Sequence, residues 1–331
     1  VRVLVTGSSG FLGQHVVREL HGKHELFTPS SNELNLLVKQ GPGYHTGLIQ
    51  YGEQVSFINW YLQSNNIDAI IHLAGNVGGI GYNKDNQGKL GFENLQMGLN
   101  ILEASRIAGI KKVVMLGTTC SYPCSPKTIP FIEDELFDGM PELTNSGYGI
   151  AKRTLIKLGI EYYKQYSMNI TNLVPANMYG PQDHFEDEKS HVIPAIIKKF
   201  EDAERYTKEQ NLHSKALNTI ITLWGSGRAS REFLYAGDCA RAIALSLEKT
   251  TGPEPMNLGT GHEITIEALA LIIKEIGNYS ADIVWGNSKL DGQPRRCLDV
   301  SRAKNILGWE AITSLEVGLK QTIEWYRANG K

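Results

Sequence analysis

Along the first half of the chain, short unbroken apolar runs alternate with longer stretches in which apolar positions recur every three or four residues. "VRVLVT", "DAIIHLAG" and "KKVVMLG" are of the first kind, and "FLGQHVVREL" and "GLNILEASRIAG" of the second. A short run apolar at every position predicts a strand buried on both faces, and the periodic stretches predict helices that cover it. The alternation therefore predicts an α/β fold built on a doubly wound parallel sheet. "MNITNLVP" reads as a further strand. From about Asn177 the pattern loosens into loops, with an exposed charged helix in "KKFEDAERYTKEQ". "REFLYAGDCARAIALSLEK" and "PMNLGT" then predict a return to the sheet, and the rest reads as helices. We expect a discontinuous nucleotide-binding domain, residues 1–174 and 233–261, and a smaller substrate-binding lobe, residues 175–232 and 262–331.

Composition narrows the function classes. With 331 residues, 41% of them apolar and 21% charged, the chain has the makeup of an ordinary globular protein. A formal charge of -2, with no block of basic residues, leaves no footprint for nucleic-acid binding. No apolar run is long enough to span a bilayer, and the first residues read as a strand and glycines rather than a leader. A soluble, cytoplasmic protein with no membrane partner is expected. Four cysteines, Cys120, Cys124, Cys239 and Cys297, are too few for a disulfide framework in a chain this long and fit a reducing compartment.

Gly7, Gly10 and Gly13 follow the first strand and open the first helix in the spacing G-x-x-G-x-x-G. Glycine there allows a tight turn and a close approach of the backbone to a pyrophosphate, and the helix N-terminus supplies N–H donors. The strand-turn-helix context turns a common spacing into a dinucleotide site of the Rossmann kind. At the end of the second strand, "ELFTPSSNELN" puts Ser30, Ser31 and Asn32 at the critical tip. No acid stands there to repel a 2′-phosphate, although no arginine clamps one, and the reading favours NADP(H) over NAD.

"SGYGIAKR" places Tyr148 and Lys152 four residues apart, on one face of a helix. An ammonium beside the phenol is expected to lower its pKa and let it exchange a proton with a carbonyl or alcohol oxygen. Thr118 follows the strand "VVMLG", where open α/β sheets hold their ligands, and can bond the same substrate oxygen. With these residues in place, the chain resembles the extended short-chain dehydrogenase/reductases. Within that family it is similar to the epimerase-reductases that convert GDP-4-keto-6-deoxy-D-mannose to GDP-L-fucose. "VTGSSGFLG" and "YGIAK" mark the broad family, whereas "HLAGNVGGIGYN", "LGTTCSYP", "VPANMYGPQDHF", "SHVIPA", "WGSGRASREFLY" and "DGQPRRCLDVS" carry the narrower likeness across nearly the whole chain.

The resemblance implies epimerisation at carbons 3 and 5, NADPH-dependent reduction at carbon 4, a GDP-sugar substrate and a homodimer. Each inversion needs a base on one face of the ring and an acid on the other, work suited to cysteine and histidine. Cys120 and His191 match the family's acid-base pair. Taken alone, Cys120 could be packing and His191 the cap of a helix. Zinc is a poor alternative, since Cys120 and Cys124 lack a second pair at ligand spacing, and no metal is expected. By the same resemblance Ser8, Ser9, Phe11, Leu12, Leu116, Gly117, Lys152, Pro175, Asn177, Met178 and His191 join the cofactor set. Lys199 and Arg231 would neutralise the diphosphate, Trp224 would offer an aromatic surface, and Asn177 would bond the sugar. Asp291 would accept from sugar hydroxyls or guanine, or could simply be a turn residue before Gly292.

Departures from the pattern are Thr118 and Thr119 in place of paired serines, "QDHF" for "DNF" and "KLDG" for "KPDG". They leave the reaction type intact and bear on the exact sugar. A 4,6-dehydratase would carry an acidic pair where this chain has Thr119 and Cys120. A 4-epimerase would need no cysteine-histidine pair, and a non-catalytic NADP sensor would need neither the proton-transfer set nor the diphosphate cations.

Overall fold

The computed structural model describes residues 1–37, 47–186, 190–209, 219–249, 252–286 and 292–330. In chain order the strands are β1 Arg2–Thr6, β2 Glu25–Phe27, β3 Ala69–His72, β4 Lys112–Leu116, β5 Ile170–Pro175, β6 Asn177–Tyr179, β7 Ile220–Leu223, β8 Ser230–Tyr235, β9 Met256–Leu258, β10 Glu263–Thr265, β11 Asp282–Trp285 and β12 Arg295–Arg296. The α-helices are α1 Phe11–Leu20, α2 Gly47–Ser64, α3 Ile80–Asp85, α4 Gln87–Ala108, α5 Ser146–Tyr166, α6 Val192–Glu209, α7 Ala236–Glu248, α8 Ile266–Gly277, α9 Ser301–Leu307 and α10 Leu315–Asn329.

Among the described residues the main sheet has six parallel strands in the order β2-β1-β3-β4-β5-β9. Its strands alternate between two cores. Val3, Val5, Ile71 and Val114 face one, with α1 and α7, while Leu4, Ile70, Val113 and Met115 face the other, with α2 and α4. Each fully buried aliphatic side chain contributes about 1.5–3 kcal/mol, so a strand apolar at every position is stable only where helices cover both faces. The doubly wound parallel sheet read from the sequence is the fold observed.

The second half departs from expectation in two places. "REFLY" does not rejoin the main sheet. It forms β8 at the centre of a second sheet, between antiparallel β10 and parallel β12, with β6 also paired to it. The return to the main sheet is made by α7 and β9. The charged stretch "KKFEDAERYTKEQ" is helical as read, but it is not exposed throughout. Residues 198–209 of it are the outer end of α6, which buries Ile193, Ile196, Ile197, Phe200 and Ala203 at helical spacing. These residues join Tyr179, Leu269, Ile273, Leu319 and Ile323 in a third core.

Glu232 of β8 fastens the two sheets together. Its Oε1 accepts the backbone N–H groups of Thr260 and Gly261, just past β9, and its Oε2 accepts that of Leu298 at 2.7 Å. Burial still pushes this carboxyl above the usual carboxylate range, against the pull of those three donors. The packing around it is tight, and a Cβ at Gly259 would overlap Glu232 Oε1.

Candidate active site

A cleft of about 1330 Å³ opens at the carboxyl ends of the main-sheet strands and is walled on its other side by α6, β8 and the residues before β12. The glycine turn lies at its floor. Gly7 adopts φ 70°, and a Cβ there would come within 2.7 Å of Ala74 N. One at Gly13 would overlap Gly7 O, so strand, turn and helix pack at a distance only glycine permits. Gly10 caps α1 with no side chain over the helix end, leaving its N–H donors for an anion. Such a cradle fits a dinucleotide pyrophosphate.

Beyond β4 the chain turns on Thr118, whose Oγ1 accepts the N–H of Cys120 at 3.2 Å and so caps a 3₁₀ turn over Thr119–Ser121. That cap fixes the half-buried thiol of Cys120. The start of α5 lies directly over the turn, where a Cβ at Gly149 would overlap Cys120 O. Ser121 Oγ donates to Gly149 O at 3.1 Å, and buried Arg153 donates through Nε to Ser121 O at 2.7 Å and through Nη1 to Gly139 O at 2.6 Å. Tyr148 and Lys152 project from the same helix into the cleft.

The electrostatics of this pair correct the expectation from sequence. Burial raises the Tyr148 phenol well above its ordinary range, the charge of Cys120 adds to the rise, and a hydrogen bond with Thr118 opposes it. Burial likewise brings the Lys152 ammonium down to about 8. Its Nζ donates to Leu116 O at 3.1 Å. Both groups are desolvated in their charged forms, and that effect outweighs the mutual help expected from their spacing.

All five residues assigned to proton transfer, Thr118, Cys120, Tyr148, Lys152 and His191, line the one cleft. His191 immediately precedes α6, and its carbonyl accepts Ala195 N at 3.0 Å, so it occupies a helix end and faces the cleft at once. Gly7, Gly10, Phe11, Leu12, Gly13, Leu116, Gly117, Pro175, Asn177 and Met178 line it too, as do Lys199, Trp224 and Arg231. The amide of Asn177 donates one N–H to Glu232 O at 3.0 Å, which leaves its oxygen and second N–H to meet a ligand. Lys199 Nζ donates to Thr222 O at 2.7 Å, and Trp224 is 62% exposed. Ser8, Ser9, Ser30 and Ser31 are not brought into the lining, and Asp291 lies outside the described residues.

The tip after β2 is not neutral as the sequence suggested. Ser30 donates through both N and Oγ to Glu33 Oε2, each at 2.8 Å, and these bonds, the backbone one foremost, hold the Glu33 carboxyl below its usual range. The acid that appeared to be missing folds back from three residues on.

Several cleft residues had escaped notice. Asn83 donates to Asn145 Oδ1 at 2.8 Å and accepts Gly78 N at 3.0 Å, tying "VGGIGYN" to the residues that lead into Tyr148. Asp183, in "QDHF", is 8% exposed. Its Oδ1 accepts His184 N at 2.7 Å, its Oδ2 has no partner among the described residues, and burial pushes it up to about 7. Arg296 and Gln293 also line the cleft, within the quoted "DGQPRRCLDVS". Membership of a motif was the available signal for each, but motif spacing does not reveal burial. Among the described residues no group of three or more His, Cys, Asp or Glu is placed to hold a metal ion.

The family described as NAD dependent epimerase/dehydratase matches residues 3–259. The chain is 34% identical over 329 residues to the GDP-L-fucose synthase of Sinorhizobium fredii, covering 99% of this chain and 96% of that protein. It is 34% identical over 330 residues to the GDP-L-colitose synthase of Yersinia pseudotuberculosis, covering 98% of each. A solved GDP-L-fucose synthetase from Naegleria fowleri, bound to NADP, superposes with a TM-score of 0.81 at 26% identity, over 99% of this chain and 94% of that one.

Proposed function

The chain belongs to the NAD dependent epimerase/dehydratase family, and on that footing we propose that it is an NADP-dependent epimerase-reductase of GDP-4-keto sugars that makes GDP-L-fucose from GDP-4-keto-6-deoxy-D-mannose. The observation that carries this reading is the meeting of Cys120, His191 and Tyr148 in a cleft that also holds the glycine turn and the cations Lys199 and Arg231.

In this mechanism the Cys120 thiolate removes a proton from a carbon beside the ketone, the electron pair passes to the ketone oxygen, and His191 returns a proton to the opposite face. The same exchange at the other flanking carbon completes both inversions. Bound NADPH supplies the hydride that reduces carbon 4. Tyr148 gives its proton to the developing alkoxide, and Thr118 bonds the same oxygen. A phenol whose pKa burial has raised keeps its proton until a strong base forms beside it, which suits an acid in this step. Lys199 and Arg231 take the diphosphate, Trp224 the base or sugar face, and Asn177 and Asp291 the sugar hydroxyls or guanine.

The equal identity to a GDP-L-colitose synthase favours one alternative, a dideoxy 4-keto sugar as substrate. Incubation with GDP-4-keto-6-deoxy-D-mannose and NADPH, followed by identification of the product sugar, decides between them. GDP-L-fucose is expected. Failure to consume NADPH with this substrate, but consumption with the dideoxy ketone, would transfer the assignment. The reading includes a cytoplasmic homodimer, supported by the family likeness and four free thiols and testable by light scattering. It also divides the chain into a cofactor domain and a nucleotide-sugar lobe, with β8 assigned to the lobe.

A further inference from the structure

The guanidinium of Arg296 lies against the thiol of Cys120, its Nη1 directed at Sγ at 3.7 Å. Arg296 ends β12, is 8% exposed, and pairs in register with Arg231 of β8. Its Nε donates to Gln293 Oε1 at 3.2 Å, and Gln293 Nε2 donates in turn to Cys124 O at 3.1 Å and Pro123 O at 3.4 Å. The contacts form a closed ring, because the segment that presents the thiol also anchors, through Gln293, the cation that faces it.

An arginine side chain has donors and no acceptor, so in this contact the sulfur must accept. A sulfur that accepts a charge-assisted hydrogen bond is favoured as the thiolate, the form able to act as a base. Other ionisable groups share the cleft with the thiol: Tyr148 and Lys152 from α5, His191, Lys198, Lys199 and Asp202 at and along α6, Arg231 from β8, Tyr82 and Asp85 from α3, and Glu142, Asp183 and His184 from loops. Tyr148 is held neutral by burial, and Arg296 directs an N–H at the sulfur.

We infer that Arg296 is a positioning residue for epimerisation: held by Gln293, it directs its guanidinium at the Cys120 sulfur and favours the thiolate that the proton transfer needs. The inference rests on the function proposed above. When the thiolate takes a proton from the ring, an S–H bond forms as the C–H bond breaks, and the electron pair moves to the ketone oxygen. The contact with Arg296 then weakens, which favours release of the proton to solvent and resets the base.

The test reads the thiol without any substrate. In a Cys124→Ser background, iodoacetamide alkylation of Cys120 is followed by mass spectrometry from about pH 5 to about pH 10 in ligand-free enzyme carrying Arg296, Arg296→Met or Arg296→Lys. Arg296→Met is expected to move the profile upward by about one pH unit and to slow alkylation near neutral pH about 10-fold, while Arg296→Lys recovers most of the loss. Gln293→Leu, which leaves the guanidinium but not its anchor, is expected to give a smaller shift and guards against a misfolded Arg296→Met. Incorporation of solvent deuterium beside the ketone should fall in parallel, with GDP affinity unchanged. Superimposable alkylation profiles would overturn the inference, and so would a drop of about 10-fold in GDP affinity with alkylation unaltered, which would make Arg296 a diphosphate ligand. A shifted profile in an enzyme that exchanges no ring protons would leave the pairing in place and overturn the function.

Discussion

Replacing Asp183 with asparagine should make the protein more stable, and increasingly so as the pH rises. In the folded chain this carboxyl holds its proton up to about 7, against an ordinary 3.8, because burial penalises the carboxylate and Oδ2 has no partner among the described residues. Between those values the unfolded chain has released a proton that the folded chain retains, so stability falls with rising pH across the window and levels off above it. At about 1.4 kcal/mol per unit, the full cost is about 4 kcal/mol, of which about 2 kcal/mol is already present at pH 5. Asparagine keeps the shape and cannot ionise. Urea denaturation followed by tryptophan fluorescence should therefore show the stability gap between Asp183→Asn and wild type widening by about 2 to 3 kcal/mol between about pH 5 and about pH 8.5. All other titrating groups are common to both proteins and cancel. A gap that stays constant over this range would mean that the carboxylate is solvated or paired in the folded protein, and the reasoning from burial would be wrong.

Cys120→Ser should still bind NADPH but lose deuterium incorporation beside the ketone by about 100-fold or more, leaving reduction of the un-epimerised ketone to a D-sugar, whereas Cys124→Ser should exchange at the wild-type rate. Tyr148→Phe should cut reduction by about 100-fold while ring-proton exchange measured by mass spectrometry persists, and loss of both in a folded variant would refute the division of labour. Glu33→Gln removes the carboxylate that Ser30 holds at the tip after β2, so NADPH should bind a few-fold more tightly in a fluorescence titration, with little change for NADH. Equal effects on the two cofactors would show that the 2′-phosphate lies elsewhere.

The parallel sheet and the glycine turn were legible because their signals are local. An apolar run at every position can be stable only between two helical layers, and Gly7, Gly10 and Gly13 announce their turn by spacing. What the sequence concealed depends on distant parts of the chain. The strand pattern of "REFLY" is real, but nothing within it says that its partners are β6, β10 and β12 rather than the main sheet. Tyr148 and Lys152 were correctly placed on one helix face, yet their ionisation is governed by burial, which four-residue spacing does not encode. Glu33 lies three residues from Ser30 and was missed because its role depends on a turn bringing it back. Arg296 meets Cys120 only because β12 adds to β8, far along the chain from the thiol.

The carboxylate of Glu232 has a bearing on modularity. A lobe that recognises the nucleotide-sugar would be convenient to exchange between relatives as a cassette, leaving the cofactor half untouched. Here the second sheet has no clean edge, since its central strand is bonded through one buried side chain to the backbone at Thr260, Gly261 and Leu298. A graft ending within β8 would leave this carboxylate buried with its donors misplaced, or the donors buried with no carboxylate, and either mismatch costs several kcal/mol. Chimeras should therefore fold only when Glu232, residues 259–261 and Leu298 come from the same parent, so the smallest exchangeable unit is a set of separated segments that share one hydrogen-bonded joint.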